Sequence, residues 1–304
     1  MQTDTTQADD ETLAIVNPVA GRGRTQRLWP NLAQQVTDLG VPLRAVFTEG
    51  PNHARALAAD AVESGVPRIV AVGGDGTTHE VANALVGTDV ALGILPTGGG
   101  NDFCRAIGVS LDLRQAVRTI AHGRGHRVDV GRLDDEYFIN GLGIGLDGAA
   151  SLRYRNMRHV RGELGYIWSA VREALTFRAF DARLTTENWT HAGKALSVGA
   201  TNGPYHGGDF RVAPQARADD GELDVYVMRP VAYFARLFKL GQIRRGAHLT
   251  MPQFSLHRSR WVEIDLDRPV PAHMDGESFT LPAGRTRVEI MPDALTVLLP
   301  RPSA

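Results

Sequence analysis

Three short apolar runs in the first hundred residues each break into glycines and polar residues just before a helical pattern begins. The first, Thr12–Asn17, leads into Asn17-Pro18-Val19-Ala20-Gly21. The second, Arg68–Val72, leads into Gly73-Gly74-Asp75-Gly76-Thr77-Thr78-His79-Glu80. The third, Leu92–Leu95, leads into Pro96-Thr97-Gly98-Gly99-Gly100-Asn101-Asp102. A strand that ends this way presents backbone N–H groups to an anion at a helix N-terminus. Glycines let the chain approach the anion without a Cβ in the way and tolerate positive φ. Asp75 is the odd member, because a carboxylate repels phosphate. It fits if a divalent cation mediates, since Mg²⁺ is held by one or two carboxylates plus substrate phosphates. The pattern suggests a nucleoside triphosphate with metal, and phosphoryl transfer.

Each turn has a plainer reading by itself. A strand must turn into its helix somewhere, and Asn101 or Asp102 alone would be a helix cap. The first turn is no P-loop, since no Gly-Lys-Ser/Thr follows, and it lacks the spacing of a dinucleotide fingerprint. Three such turns at one sheet edge make coincidence the minority explanation.

The edge follows from the alternation of elements. Helical patterns at Thr25–Leu39, Asn52–Ser64, Thr77–Val86, Asn101–Ile107 and Leu113–His122 separate the strand-like runs, which include Leu43–Thr48. That order predicts βαβ units and a parallel sheet covered on both faces, with ligands at the carboxyl ends of the strands. Beyond Gly123–Gly125 the pattern changes to many short strand-like runs, interrupted by two helical insertions, Gly162–Phe177 and Val231–Arg245. Short strands with turn signals predict an antiparallel β-sandwich or barrel. The expected organisation is a disordered tail 1–11, an α/β nucleotide-binding domain 12–125, and a β-rich domain 126–304, with the active site in a cleft between the two domains.

A chain of 304 residues has room for both domains, and a net charge of −1 provides no global field to draw nucleic acid, so no nucleic-acid partner is expected. The single cysteine, Cys104, excludes an intrachain disulfide and reads as a small core filler. The polar, acidic start is no signal peptide, and no stretch approaches the ~18 apolar residues of a membrane span. The expectation is a soluble, cytoplasmic protein.

In the second half, Ala218–Asp224 and His273–Glu277 read individually as turns. A kinase acting on a hydroxyl nevertheless needs a carboxylate to accept the proton, and Glu277 or Asp275 would meet that need. Val231–Arg245 sets Tyr233, Phe234, Leu237, Phe238 and Leu240 among Arg236, Lys239, Arg244 and Arg245. It reads equally as a basic amphipathic helix on a membrane surface or as a helix packed on the sandwich. Arg153–Arg161 is a second basic cluster, either a headgroup contact or a solvated loop.

Asn17–Gly21, Gly73–Glu80, Pro96–Asp102, Asp220-Gly221-Glu222-Leu223 and Asp275-Gly276-Glu277, in this order, resemble the soluble diacylglycerol kinase catalytic-domain family, which also contains sphingosine and ceramide kinases. The resemblance spans almost the whole chain. It implies an N-terminal α/β domain like that of NAD kinases and phosphofructokinases, followed by a β-sandwich. It further implies ATP binding by Asn17, Pro18, Val19, Ala20, Gly21, Thr48, Gly74, Asp75, Gly76, Thr77, Thr78, His79, Glu80, Gly99, Asn101 and Asp102. Glu277 corresponds to the catalytic base, with Asp275 beside it. Asp220, with Arg217 and Glu222 through backbone carbonyls, corresponds to a structural Mg²⁺ site, and Asp75 and Asp102 to the metal–water network near the phosphates.

The chain departs from the family at Gly99, where a threonine is usual, and at Ala20, where a serine is usual. Each change removes a hydroxyl and leaves the backbone donors, so altered nucleotide affinity is expected, with Thr97 a substitute hydroxyl. The implied activity is an ATP- and Mg²⁺-dependent lipid kinase, with diacylglycerol converted to phosphatidic acid as the leading case. The lipid would be reached transiently at the membrane surface, and a homodimer is the assembly the resemblance suggests. The rival readings are an NAD kinase-like enzyme for a soluble substrate and a non-catalytic nucleotide-binding regulator.

Overall fold

All five side chains of Thr12–Val16 are buried, as a strand covered on both faces requires. In the computed structural model, which describes residues 11–157, 163–208 and 210–301, this strand lies inside a parallel sheet. The order is Leu43–Phe47, Thr12–Val16, Arg68–Gly73, Ala91–Pro96. Register aligns Val16 with Val72, and Val72 with Leu95, so the strands end level. The chain leaves Thr12–Val16 for a neighbour on one side and returns to Arg68–Gly73 on the other. That reversal opens a crevice at the strands' carboxyl ends.

Helices seal the faces. Trp29, Leu32 and Val36 from Ala20–Asp38, and Ala116, Val117 and Ile120 from Leu113–His122, join Val16, Val70, Val72 and Leu95 in one core. The first helix turns regular only after Gly21, Arg22 and Gly23, whose φ values are 57°, 62° and 75°. Its expected start at Thr25 is therefore close to where the helical backbone begins. Asp112 caps Leu113–His122 by accepting the amide of Arg114 at 2.8 Å.

The chain divides into two compact units, one of residues up to Val128 together with those from Asp293 on, the other Asp129–Pro292. The sequence reading had placed everything from 126 onward in the second domain. The last strand, Gly284–Leu299, instead starts in the second unit beside Trp261–Leu266 and finishes in the first, with Thr296 and Val297 parallel to Ala91 and Leu92.

The second unit has an antiparallel sheet ordered Phe254–Ser259, Leu223–Met228, Ser197–Thr201, Gly141–Gly145, Val270–Met274, Glu277–Leu281. Trp261–Leu266, Phe180–Thr185 and Thr190–Ala195 form further antiparallel pairs. Leu142, Ile144, Val198 and Val225 pack with Leu184, Val262, Ile264 and Val288 in a shared core. Trp261–Leu266 alternates part-buried and buried residues, as a strand with one core face should. Leu223–Met228 is buried throughout, because Ala150, Ala170 and Ile243 from helices cover Tyr226 and Met228 on its other face.

Those helices are Leu146–Asn156, Glu163–Thr176 and Tyr233–Arg244. The last two fulfil the expected insertions within the described residues. Leu146–Asn156 and the glycine-rich strand Gly141–Gly145 before it were not foreseen. Neither carries a hydrophobic period strong enough to stand out.

Candidate active site

Asn17 follows the first strand immediately and donates its amide N–H to Val72 O at 3.0 Å. Its side-chain Nδ2 donates to Thr77 Oγ1 at 3.0 Å, and its Oδ1 accepts the amide of Val19 at 3.2 Å. The asparagine thus ties the first turn to the second across the crevice.

Backbone approaches join the remaining pairs of turns. A Cβ on Gly21 would meet Thr97 O at 2.5 Å, and one on Gly98 would meet Gly74 Cα at 2.4 Å. Only residues without a Cβ permit those contacts. Thr25 Oγ1 and Thr97 Oγ1 lie 2.5 Å apart in the interior, so Thr97 is committed to the protein. It is fully buried and no ready substitute for the hydroxyl missing at Gly99. Around Gly99 nothing approaches its Cβ position within 4 Å.

Asp75 opens the helix Asp75–Leu85. One of its oxygens accepts the amide of Asn101 at 2.6 Å and the other that of Asp102 at 2.7 Å. Asp75 therefore staples the second turn to the third, a second reason for a carboxylate among the glycines. Two amides that could have met phosphate are used in the staple. The first-turn amides of Asp75–Leu85, which have no intrahelical acceptor, remain the donors aimed out of the helix.

The other expected nucleotide residues fall into two groups. Pro18, Val19 and Gly99 lie on the turns themselves, and Ala20 and Gly76 stand in the first turns of the helices that follow. Thr48 sits at the same sheet edge, its amide donating to Val16 O at 2.9 Å. Thr78, His79 and Glu80 point to structural duties. Thr78 Oγ1 donates to Gly74 O at 3.2 Å, and His79 is buried against Asn83. Glu80 receives the amides of Asn52 and Ala54, both at 3.0 Å, and so caps the helix His53–Glu63. Asn101 takes a left-handed conformation, φ 54°, and donates Nδ2 to Gly98 O at 3.1 Å. Cys104 is buried, and burial followed by the charges of Asp75 and Asp102 pushes its thiol far up, out of reach of thiolate chemistry.

In the second unit, Asp275 and Gly276 form the hairpin between Val270–Met274 and Glu277–Leu281, with φ 49° and 92°. The Asp275 carboxylate accepts the amides of Ile139, Asn140 and Gly141, each at 2.9 Å. These bonds hold the hairpin in place and engage the carboxylate that the sequence offers, with Glu277, as a candidate proton acceptor. Ser151 Oγ adds a bond to Gly276 O at 3.0 Å. Glu277 stands out from this fixed turn with its side chain 50% exposed, 3.2 Å from Arg155 Nη1. Arg155 was legible only as part of a basic cluster, because the helix that carries it was not recognised. Arg158, His159 and Arg161 of that cluster lie outside the described residues.

The segment expected to hold structural Mg²⁺ has its own cation. Arg258 pairs with Asp220 and, at 3.3 Å, with Glu222, while Arg217 pairs with Asp219 at 3.0 Å. A carboxylate with two backbone carbonyls suits a hard cation, so the residues fit Mg²⁺ in donor type. The ion would share Asp220 with Arg258.

Helix Tyr233–Arg244 packs one face on the unit, as one of its two expected readings has it, and leaves large apolar side chains exposed on another. Leu240 and Ile243 pack into the unit's core, and Phe234 and Phe238 are 88% and 70% exposed. Arg236, counted among the surface cations, is buried, and Nη1 donates to Ala174 O at 3.0 Å and Phe177 O at 2.9 Å. It caps the end of Glu163–Thr176.

Residues 11–133 match the diacylglycerol kinase catalytic domain, and residues 141–299 match the YegS C-terminal NAD kinase beta sandwich-like domain. A "Probable lipid kinase YegS-like" from Chromohalobacter salexigens is 30% identical over 292 residues, 93% of this chain and 88% of that one. The chain belongs to the bacterial lipid kinase family. Another member, a diacylglycerol kinase of Mycobacterium tuberculosis, is 27% identical over 95% of this chain and 94% of its own. A crystal structure from Bacillus anthracis has a TM-score of 0.79 at 26% identity, covering 96% of this chain and 98% of that one. The α/β unit followed by a β-sandwich is thus the family's fold. Among the described residues, no helix is long and apolar enough to cross a membrane.

Proposed function

We propose that this chain transfers the γ-phosphoryl group of ATP to the hydroxyl of a lipid, with diacylglycerol, giving phosphatidic acid, as the leading acceptor. The observation that carries the reading is the convergence of three glycine turns at the sheet's crevice, tied by Asn17–Thr77 and by Asp75. Backbone amides at that point bind the phosphates, and fixed dipoles there need no reorganisation as charge develops. Mg²⁺ bound with the nucleotide would offset phosphate charge, and Asp75 and Asp102 are the carboxylates to hold it.

Glu277 takes the proton of the lipid hydroxyl. As the hydroxyl oxygen bonds to the γ-phosphorus, the bond from that phosphorus to the bridging oxygen breaks, and ADP leaves. Asp275 and Ser151 keep the Glu277 turn in place, and the Arg155 contact restrains the carboxylate. Access to lipid falls to Phe234 and Phe238, which would enter the interface of an anionic bilayer, with Lys239 and Arg245 on the same helix or just beyond it toward the headgroups.

The test is incubation of the purified protein with labelled ATP, Mg²⁺ and a panel of lipid alcohols together with NAD. Label in a lipid supports the proposal. Label in NAD replaces it with the soluble-substrate kinase, and nucleotide binding without any labelled acceptor replaces it with the regulator. Co-sedimentation with vesicles, with and without anionic lipid, tests the access route.

A further inference from the structure

Behind the Asp275–Gly276 turn, the second unit holds polar side chains that phosphoryl transfer leaves unused. Asp147, in the first turn of Leu146–Asn156, His206, and His273 each place one ligand atom within 4.8 Å of the others. His206 and His273 are 2% and 3% exposed. Neither nitrogen of His206 has a hydrogen-bond partner, nor does Nε2 of His273. A buried polar atom left without a partner is destabilising, and a metal bound through one nitrogen of each imidazole would satisfy two of these three.

The backbone has been cleared to admit these groups. A Cβ on Gly143 would lie 2.4 Å from Asp147 Oδ2 and 2.6 Å from His273 Nε2, and one on Gly141 would lie 2.3 Å from His206 Nε2. Glycine at both positions of the strand Gly141–Gly145 therefore leaves the space these ligand atoms occupy. The two imidazoles stand nearly perpendicular, with ring centroids 5.2 Å apart. Tyr226 donates its hydroxyl to Asp147, an outer contact of the kind that fixes a ligating carboxylate. An apolar cavity of about 60 Å³, lined by Asp147, His206 and Tyr226 with Tyr166, Phe210 and Phe254, provides room beside the group.

We propose that Asp147, His206 and His273 bind a divalent transition-metal ion of the zinc class. Two imidazole nitrogens and one carboxylate are the donors of three-ligand zinc sites, which keep a fourth position for water. Imidazole also discriminates against Mg²⁺, which demands oxygen ligands, so the ion is distinct from the one that accompanies a nucleotide. Coordination through Nε2 of His273 puts the ring proton on Nδ1. That nitrogen now accepts the amide of Gly276 at 3.4 Å, and loading must give up the contact. Metal binding therefore loosens the turn that precedes Glu277.

The test uses the full chain, stripped with chelator and titrated with Zn²⁺ in excess Mg²⁺. One tightly bound Zn²⁺ per chain is expected, with a raised melting temperature. Co²⁺ in its place should show the visible absorption bands of a low-coordinate nitrogen–oxygen site, and Gly276 should exchange its amide proton faster when metal is bound. Tyr226→Phe should weaken Zn²⁺ about tenfold, and His206→Asn with His273→Asn should abolish the site. Zn²⁺ binding no tighter in the wild type than in the double variant overturns the proposal. Should the double variant fail to fold, wild-type Co²⁺ protein without those bands overturns it equally.

Discussion

Asp75 Oδ2 accepts the backbone amide of Asn101 at 2.6 Å, joining two turns that lie 26 residues apart in the chain. With the Asp102 amide at 2.7 Å on the other oxygen, this carboxylate fixes the mutual placement of the second and third turns. Hydrogen bonds to a charged group are worth about 1.5–3 kcal/mol each. Asp75→Ala should therefore lower unfolding free energy by at least about 1.5 kcal/mol and weaken ATP binding, with Asp75→Asn intermediate. Denaturant unfolding and nucleotide titration check both. Unchanged stability alongside altered Mg²⁺ dependence would reduce Asp75 to a metal ligand.

Neighbouring glycines of the third turn should respond oppositely. A methyl on Gly98 meets Gly74 Cα at 2.4 Å, backbone that cannot swing aside. Gly98→Ala should cost about 1–3 kcal/mol and impair nucleotide binding. Gly99 has open space and no positive φ. Gly99→Thr should change stability by less than about 0.5 kcal/mol and tighten ATP binding by restoring the family hydroxyl. Thermal melts with ATP titrations distinguish the two.

Glu277 can be altered without disturbing the fold. Its ion pair with Arg155 is half exposed on both sides, and such pairs contribute about 0–1 kcal/mol. Glu277→Gln should leave the melting temperature and ATP affinity nearly unchanged while lowering kcat about 10²–10⁴-fold, the usual worth of a general base. Near-normal turnover would remove it from the role.

Acid should unfold the protein through buried imidazole. His248 is fully buried, stacked edge-on against Phe254 with centroids 4.3 Å apart, and Nε2 lies 3.0 Å from Val212 O. Burial lowers its pKa below the ordinary 6.5, the backbone hydrogen bond opposing this only in part. The folded state therefore stays neutral while the unfolded state gains a proton. The contribution is fully present above pH 6.5 and is lost as pH falls below 6.5 toward the lowered folded value. The slope approaches about 1.4 kcal/mol per pH unit for one proton. His248→Gln should remove that share, measured by denaturant unfolding between pH 7.5 and 5.

The strand–glycine–helix runs at Asn17, Gly73 and Pro96 were legible because their cause is local. An apolar run must be buried, and a chain that leaves it through glycines has few other conformations to adopt. Period and turn chemistry likewise revealed the hairpin at Asp275-Gly276 and the helix near 233–244. Leu146–Asn156 escaped, since its alanines, glycine and arginines show no apolar stripe until the sheet beneath them is known. Partners distant in sequence escaped altogether: Asp75 with Asn101, Asp275 with Ile139–Gly141, Arg258 with Asp220, and the two histidines with Asp147.

By itself the chain determined its two fold classes and the three glycine turns at the strand ends. Tertiary structure alone decided which carboxylates are spent on backbone amides, as at Asp75, Glu80 and Asp275, and which remain exposed, as at Glu277. The reason is that a hydrogen bond needs its partner within about 3 Å. Sequence spacing sets that distance inside a helix or hairpin, but between segments a hundred residues apart only the packed sheets can set it.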